Sequence, residues 1–408
     1  MTMPPLTNEV LTIAPEDRYH RQRLIEGWEQ ERIAEARVLV VGAGALGNEI
    51  LKLLALIGIG NTLIYDMDII QTSNLSRTVL FREEDTKKPK AELAARRMRE
   101  INPELNVFGR AEDVMYQAGL GVFLWADVVI CGLDSRVARL FVNNACAQTG
   151  RSWVDGAIEG FSGIVRVFEP TRTACYECTM NETDRKHVRE RRSCAMLARD
   201  VIASGRTPST AIVASLVAAL EVQEAVKLLH GQPTLSGQGL HINSFWGDFS
   251  KIRYQRRDDC PGHDSIGYVA PLGLGVADVS LETLLSRAEE SLGAETVLDL
   301  SRDVIITLSC PACGDEKKCG RVLGAVREAE AVCPNCKAHR FLNFTSTISR
   351  DGEVDLALTP AQIGVPPFDI IVFRQGLQAR QAWLFDGDAA RTLGSLAASF
   401  SISSPSAV

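Results

Sequence analysis

The residues with chemistry to offer begin at Val38-Leu39-Val40-Val41-Gly42-Ala43-Gly44-Ala45-Leu46-Gly47. An apolar run meets a GxGxxG turn, which opens an apolar helix running to Ile57. Glycine lets the backbone bend tightly and approach a ligand closely. The helix start then offers free N–H groups and a positive dipole end to a phosphate. Gly42, Gly44 and Gly47 are therefore candidate nucleotide-binding residues. The acidic stretch Asp66-Met67-Asp68 comes next, and Asp66 lies about twenty residues past the turn, where an acid holds a ribose hydroxyl. That spacing suits NAD and ATP equally, but the polar surroundings favour ATP. Arg77 and Lys90 follow the second strand, and two fixed cations suit a triphosphate, whose charge must be neutralised before a nucleophile approaches. Asp134 follows the strand ending at Cys131, at the edge where open α/β sheets bind ligands. A carboxylate there can hold magnesium against phosphate oxygens. The competing reading makes Asp134 the cap of a helix starting near Ser135, and makes Arg77 and Lys90 solvated charges. All three residues, in this order, weigh against it.

The cysteines form the second group. Cys310-Pro-Ala-Cys313 and Cys333-Pro-Asn-Cys336 have zinc-ribbon spacing. A redox dithiol needs one CxxC at a helix start, not two matched knuckles, so we expect structural zinc. Cys319 between them reads as a spare thiol and His339 as a weaker alternative ligand. Cys175-Tyr-Glu-Cys178 pairs with Cys260-Pro-Gly-His263. Three sulfurs and one nitrogen make a closed site suited to a second structural zinc. The alternative leaves Cys175 and Cys178 as buried thiols and His263 as a loop residue. Cys194 follows the most basic run of the chain, Asp184 to Ser193, and nearby cations favour thiolate. It is the candidate nucleophile, against a charged crossover loop with an incidental thiol. Cys131 and Cys146 read as core residues.

The elements that must position these groups alternate. Strand-like segments near residues 38–41, 61–66, 107 onward and 126–131 are separated by helical ones, including 87–102 with Pro89 in its first turn. That order argues for a parallel sheet covered on both faces. We expect an α/β fold: a Rossmann-like domain with a mixed, mostly parallel sheet, plus a small zinc-ribbon and β-rich C-terminal region. The boundaries are a leader over 1–16, the nucleotide domain over 17–265 with a crossover segment at 179–207, a linker with a short helix over 266–302, the zinc ribbon over 303–345, and a β-rich module with tail over 346–408. Residues from Ser395 onward read as a frayed tail.

Composition narrows the setting. The chain has 408 residues, 46% hydrophobic and 23% charged, with a formal net charge of −7. That charge gives no reason to expect nucleic acid or an anionic membrane as partner. No apolar run reaches the length of a membrane span, and the N-terminus lacks a signal-peptide pattern. The 11 cysteines, three CxxC pairs among them, then point to a reducing, cytoplasmic setting.

Taken together, GAGALGNE, DMD, SNLSR, KPKAE and LDSRVARLFVN resemble the adenylation domain of the ubiquitin-activating enzyme family, the superfamily of ThiF and MoeB. The resemblance covers roughly residues 17–263. It implies an enzyme that adenylates the C-terminal glycine of a ubiquitin-like protein with ATP and magnesium. By that resemblance Asp66 binds ribose, Asp134 binds magnesium, and Asn74, Arg77 and Lys90 contact the triphosphate. Asp68 shares the nucleotide site. Arg21, in RYHRQR, resembles an arginine that reaches the γ-phosphate from a partner subunit, which implies a dimer, here read as a homodimer. The family carries zinc at the two knuckles around Cys175 and Cys260, with His263 replacing a cysteine. It also carries its catalytic cysteine in the region of Cys194, which would take the acyl group as a thioester for handover to a conjugating enzyme. Ser135 and Thr78 depart from the usual Asn and Gln, without change of charge. The alternative is adenylation of a sulfur-carrier protein for thiocarboxylate formation. An idle scaffold subunit would lack the acid, arginine and lysine set, and an NAD-dependent oxidoreductase leaves the zinc knuckles unexplained.

Overall fold

The computed structural model describes residues 17–170, 172–182, 208–376 and 379–400. The leader 1–16 and most of the crossover segment, Cys194 included, lie outside the described residues.

Strand β1 (Arg37–Val41) is apolar because both of its faces are covered. Around it are β2 (Asn61–Tyr65), β3 (Asn106–Arg110), β4 (Val128–Cys131), β5 (Trp153–Glu159), β6 (Ser162–Phe168), β7 (Gln238–Asn243) and β8 (Asp248–Arg253). Their order is β3-β2-β1-β4-β5-β6-β7-β8. Pairings from β3 through β5 are parallel, and those from β5 to β8 are antiparallel. The expected mixed, mostly parallel sheet is present. Its order reverses at β1 and β4, the switch point where such sheets open a crevice.

Side chains alternate across a strand. Val38 and Val40 enter one core with helices α1 (Ala45–Ile57), α2 (Lys90–Ile101) and α4 (Ala211–Leu229), through Leu54, Met98 and Val217. Leu39 and Val41 enter another with α3 (Arg136–Thr149), the turn Gly121–Trp125, and Phe368, Leu384 and Leu396 from far along the chain.

A second sheet has the order β11-β10-β13-β14-β9, with β12 on the other edge of β10. Its strands are β9 (Val269–Pro271), β10 (Val297–Ser309), β11 (Glu316–Val322), β12 (Phe341–Ile348), β13 (Ile370–Gln375) and β14 (Ala379–Leu384). Helix α5 (Leu281–Leu292), capped by Ser280, packs Leu284, Leu285 and Ala288 with Phe373 and Phe385. The boundary expected between residues 302 and 303 falls inside β10. One end of that strand pairs with β13 and the other with β11. The expected linker 266–302 contains β9, which pairs with β14 in parallel.

The frayed tail is corrected in part. Residues Gly394–Ser399 form a 3-10 segment with Leu396 fully buried. Trp125 Nε1 donates to Ser399 Oγ at 3.0 Å, and Asn106 Nδ2 donates to the Ser395 carbonyl at 3.2 Å. The segment packs against β2 and β3. Gly394, at φ +58°, has no room for a Cβ, which would come within 2.7 Å of the Phe108 ring. Among the described residues, no helix is long and apolar enough to cross a membrane.

Candidate functional site

The three glycines of the turn have different jobs. Gly42 sits at φ +96°, and a Cβ there would meet the Gly132 carbonyl oxygen at 2.6 Å. A Cβ on Gly47 would lie 1.9 Å from the Gly42 carbonyl oxygen. These two permit close packing of turn, helix and β4. Among the described residues, nothing lies within 4 Å of a would-be Cβ on Gly44. It is also the N-cap of α1 and offers no capping side chain. The helix start is thus bare toward the crevice, as a phosphate cradle requires.

Asp66 closes the crevice beside that turn. Its carboxylate accepts Ala43 N at 2.6 Å and Asp68 N at 2.8 Å. Burial pushes its carboxyl above the usual range, while the Lys90 charge and the two N–H donors pull it back. Lys90, 7% exposed at the first turn of α2, extends its Nζ to Asp68 Oδ2 at 2.7 Å. Pro89 is the N-cap of α2 and not part of its first turn. Arg77 ends the 3-10 turn Thr72–Arg77, and its Nη1 donates to the Ser73 carbonyl at 3.1 Å. Asn74 in the same turn accepts Gln71 N at 2.9 Å.

Asp134 is exposed in the loop from β4 to α3. The cap of α3 is Ser135, whose Oγ accepts Ala138 N at 3.4 Å. The capping alternative therefore falls to the neighbour, and among the described residues the Asp134 carboxylate has no hydrogen-bond partner. Its loop is fixed from behind. Arg139 donates to the Leu133 carbonyl, to Gly156 O at 3.0 Å and to Asp155 Oδ1 at 2.7 Å.

Arg21 is not brought to this crevice within the chain. Its helical turn, His20–Arg23, follows Tyr19, whose hydroxyl accepts Asn102 Nδ2 at 2.7 Å and whose ring lies against Gly58. Gly58 is the far cap of α1, so about 20 Å of helix separates Arg21 from the glycine turn.

Two residues escaped the sequence reading. Asn48, fully buried, donates from Nδ2 to Ala43 O at 2.9 Å and accepts Leu80 N at 2.8 Å. It ties the glycine turn to the segment after Arg77. Its signal was a polar residue inside an apolar helix. Arg139 was the other, visible only as a charge within LDSRVARLFVN.

Both cysteine groups converge. In each, the four ligand atoms lie within 4.8 Å of one another. In the first, Cys175 Sγ is 3.8 Å from Cys178 Sγ and 3.7 Å from Cys260 Sγ, and Cys178 Sγ is 3.2 Å from His263 Nε2. In the second, Cys310–Cys336, Cys313–Cys333 and Cys313–Cys336 sulfur separations are 3.4, 3.6 and 3.7 Å. Sulfurs around a tetrahedral zinc at 2.3 Å sit about 3.8 Å apart, so both donor sets fit that ion. The ribbon knuckles are twins. Gly314 N donates to Cys310 O and Lys337 N to Cys333 O, both at 3.0 Å, with Gly314 and Lys337 at φ +75° and +63°. His339 lies outside the cluster, as does half-buried Cys319. Cys131 and Cys146 are fully buried, as expected for core thiols.

The ThiF family profile matches residues 18–262. A sulfur carrier protein adenylyltransferase of Thermus thermophilus is 35% identical over 256 residues, covering 60% of this chain and 89% of that protein. A SAMP-activating enzyme E1 of Haloferax volcanii is 31% identical over 259 residues, covering 61% and 91%. A NEDD8-activating enzyme E1 catalytic subunit of Arabidopsis thaliana is 41% identical over 160 residues, but these cover only 35% and 34%. Among solved structures, E. coli MccB with AMPCPP and MccA has a similar fold at a TM-score of 0.51 and 22% identity, covering 61% of this chain and 75% of that one. With 245 of its 408 residues inside the profile, counted from 18 to 262, the chain belongs to the ThiF family.

Proposed function

We propose that the protein adenylates the C-terminal carboxylate of a ubiquitin-like protein and then takes the acyl group on Cys194 as a thioester, for handover to a conjugating enzyme. The observation that carries the first step is one crevice. A helix start with no capping side chain, the acid Asp66, the cation Lys90 and the exposed carboxylate of Asp134 all border the carboxyl edge of β1, β2 and β4. The substrate carboxylate attacks the α-phosphorus, the bond to the β-phosphate oxygen breaks, and pyrophosphate leaves. Arg77 and Lys90 stabilise the phosphate charge. Lys90 must exchange Asp68 for phosphate to do so. Asp134 would hold a magnesium ion, which supplies further charge neutralisation there. Arg21 serves the crevice of a second copy, because its own lies a helix length away. That makes the working form a homodimer.

In the second step the Cys194 thiolate attacks the acyl carbon and AMP leaves. A second reading is favoured by the relatives matched over most of their length, two of which are named for sulfur carrier proteins. In it, the acyl adenylate passes to a sulfur donor as thiocarboxylate and Cys194 is not needed. The two zinc clusters are structural in both readings.

One set of assays tests both steps. Asp134→Ala should abolish ATP–pyrophosphate exchange, and exchange at the wild-type rate would remove its assigned role. Cys194→Ala should keep exchange but lose a thioester that survives denaturation and yields to thiol reductant. Exchange with no such adduct in the wild type would favour the sulfur route.

A further inference from the structure

Outside the ThiF-matched span, one buried ion pair reaches back into the nucleotide half. Arg302, on β10, is 9% exposed and Asp369 is 2% exposed. Arg302 Nε donates to Met115 O at 3.1 Å, its Nη2 to Ala118 O, and its Nη1 to Asp369 Oδ2 at 2.9 Å. The other oxygen of Asp369 accepts Leu120 N at 2.7 Å, and the adjacent Phe368 carbonyl accepts Gly121 N at 2.9 Å. Four backbone groups of the 115–121 segment thus find their partners in the C-terminal region. The turn Val114–Gln117 is too short to satisfy its own end carbonyls. A buried backbone group without a partner is costly, so these contacts fix where the segment lies. The fit is close, because a Cβ on Gly119 or Gly121 would come within 2.5 Å of Phe368.

The segment so held leaves the carboxyl end of β3, beside the crevice. Asp66 N donates to the carbonyl of Arg110, the last residue of β3, at 3.2 Å. Asp113, at the start of the loop, senses both sides. Burial pushes its carboxyl up, Arg302 pulls it down and Asp68 adds to the rise. The crevice acid and the C-terminal arginine therefore act on one side chain between them.

We propose that Arg302 and Asp369 are positioning residues for the nucleotide site: through them the C-terminal region forms a fixed wall behind the 111–121 loop and sets the affinity of the crevice for the nucleoside end of ATP. This rests on the ATP reading of the crevice given above. It gives residues 263–408 a part in adenylation that needs no swinging of the C-terminal region.

Two measurements on the full-length chain test it. In the wild type, magnesium ATP should slow amide hydrogen exchange over residues 111–121 as well as over the glycine turn, 42–48. Protection of the turn alone overturns the wall. Protection of neither removes the ATP reading itself, so the two failures are distinguishable. Arg302→Lys keeps the charge but loses the planar fork. It should raise the KM for ATP about tenfold, as expected for one lost charge-assisted hydrogen bond, with kcat at saturating ATP unchanged. A folded Arg302→Lys variant with wild-type KM overturns the proposal. If that variant does not fold, the exchange measurement on the wild type decides alone.

Discussion

The two faces of the eight-stranded sheet are closed by different means. The first is covered by α1, α2 and α4, all within the ThiF-matched span, and its core residues recur at helical spacing. The second is covered only partly by α3 and its neighbours. Tyr176, Met180 and Ile266 close it beside the first cysteine cluster, and Phe368, Ile370, Val372, Leu384, Leu393 and Leu396 close it from the C-terminal region. Strand β13 shows how: Ile370 and Val372 enter this core while Ile371 and Phe373 enter that of the C-terminal sheet. A face built from nearby helices is a local solution. A face built from distant segments makes the C-terminal region part of the nucleotide domain.

The largest expected effect breaks the second face at its cysteine cluster, Cys175, Cys178, Cys260 and His263. Structural zinc contributes folding free energy outright, about 10 kcal/mol or more in small sites. Native mass spectrometry should count two zinc ions in the wild type and one in Cys260→Ser. In that variant the second-face core should loosen first, read by rising exchange around Tyr176 and Ile266 while α1 stays protected. Two ions retained in the variant would show that Cys260 does not hold a metal ion.

Next is Phe368→Ala, which deletes a fully buried ring and should cost about 3–5 kcal/mol. Because Phe368 belongs to the core of β1 and β2, calorimetry should show one transition for the whole chain, lowered as a unit. Two transitions, with only one moved, would mean that the C-terminal region merely leans on the sheet.

The same contrast explains what the sequence made legible. Val38 to Gly47 announced strand, turn and helix because each cause is local: an apolar run, glycines, then 3.6-residue spacing. Asp66, Lys90 and Asp134 could be proposed as site residues because each comes after a strand of the sheet, at its carboxyl side. The second cysteine cluster was legible from spacing alone, and four sulfurs do meet there. What stayed hidden depends on contacts across the chain. Ser395 and Ser399 read as tail residues until Asn106 and Trp125 supplied their partners. Arg302 and Asp369 carried no motif, since besides each other and Ser301 their partners are backbone groups of residues 115–120. The polar Asn48 could have been noticed, but its acceptor and donor lie on two other segments.

The smallest expected effect concerns the first face and its acid sensitivity. Asp85, fully buried just ahead of α2, would have its carboxyl raised by burial. Lys88 at 2.9 Å, Arg97 at 3.0 Å and Arg82 N at 3.0 Å outweigh that and hold it down at about 2. In an unfolded chain the same group titrates near about 3.9. A carboxyl depressed on folding stabilises above its unfolded value, and that contribution is lost as pH falls through the folded one. Stability should therefore drop between about pH 4 and about pH 2, by about 2 kcal/mol from this group. Glu330, held at about 2 chiefly by Arg321, titrates in the same window from the ribbon. Asp85→Asn should flatten only its own share, measured as the urea midpoint of the first-face amides against pH. If the variant keeps the full acid slope while Glu330→Gln removes it, acid lability lies beside the second cysteine cluster and not at the first face.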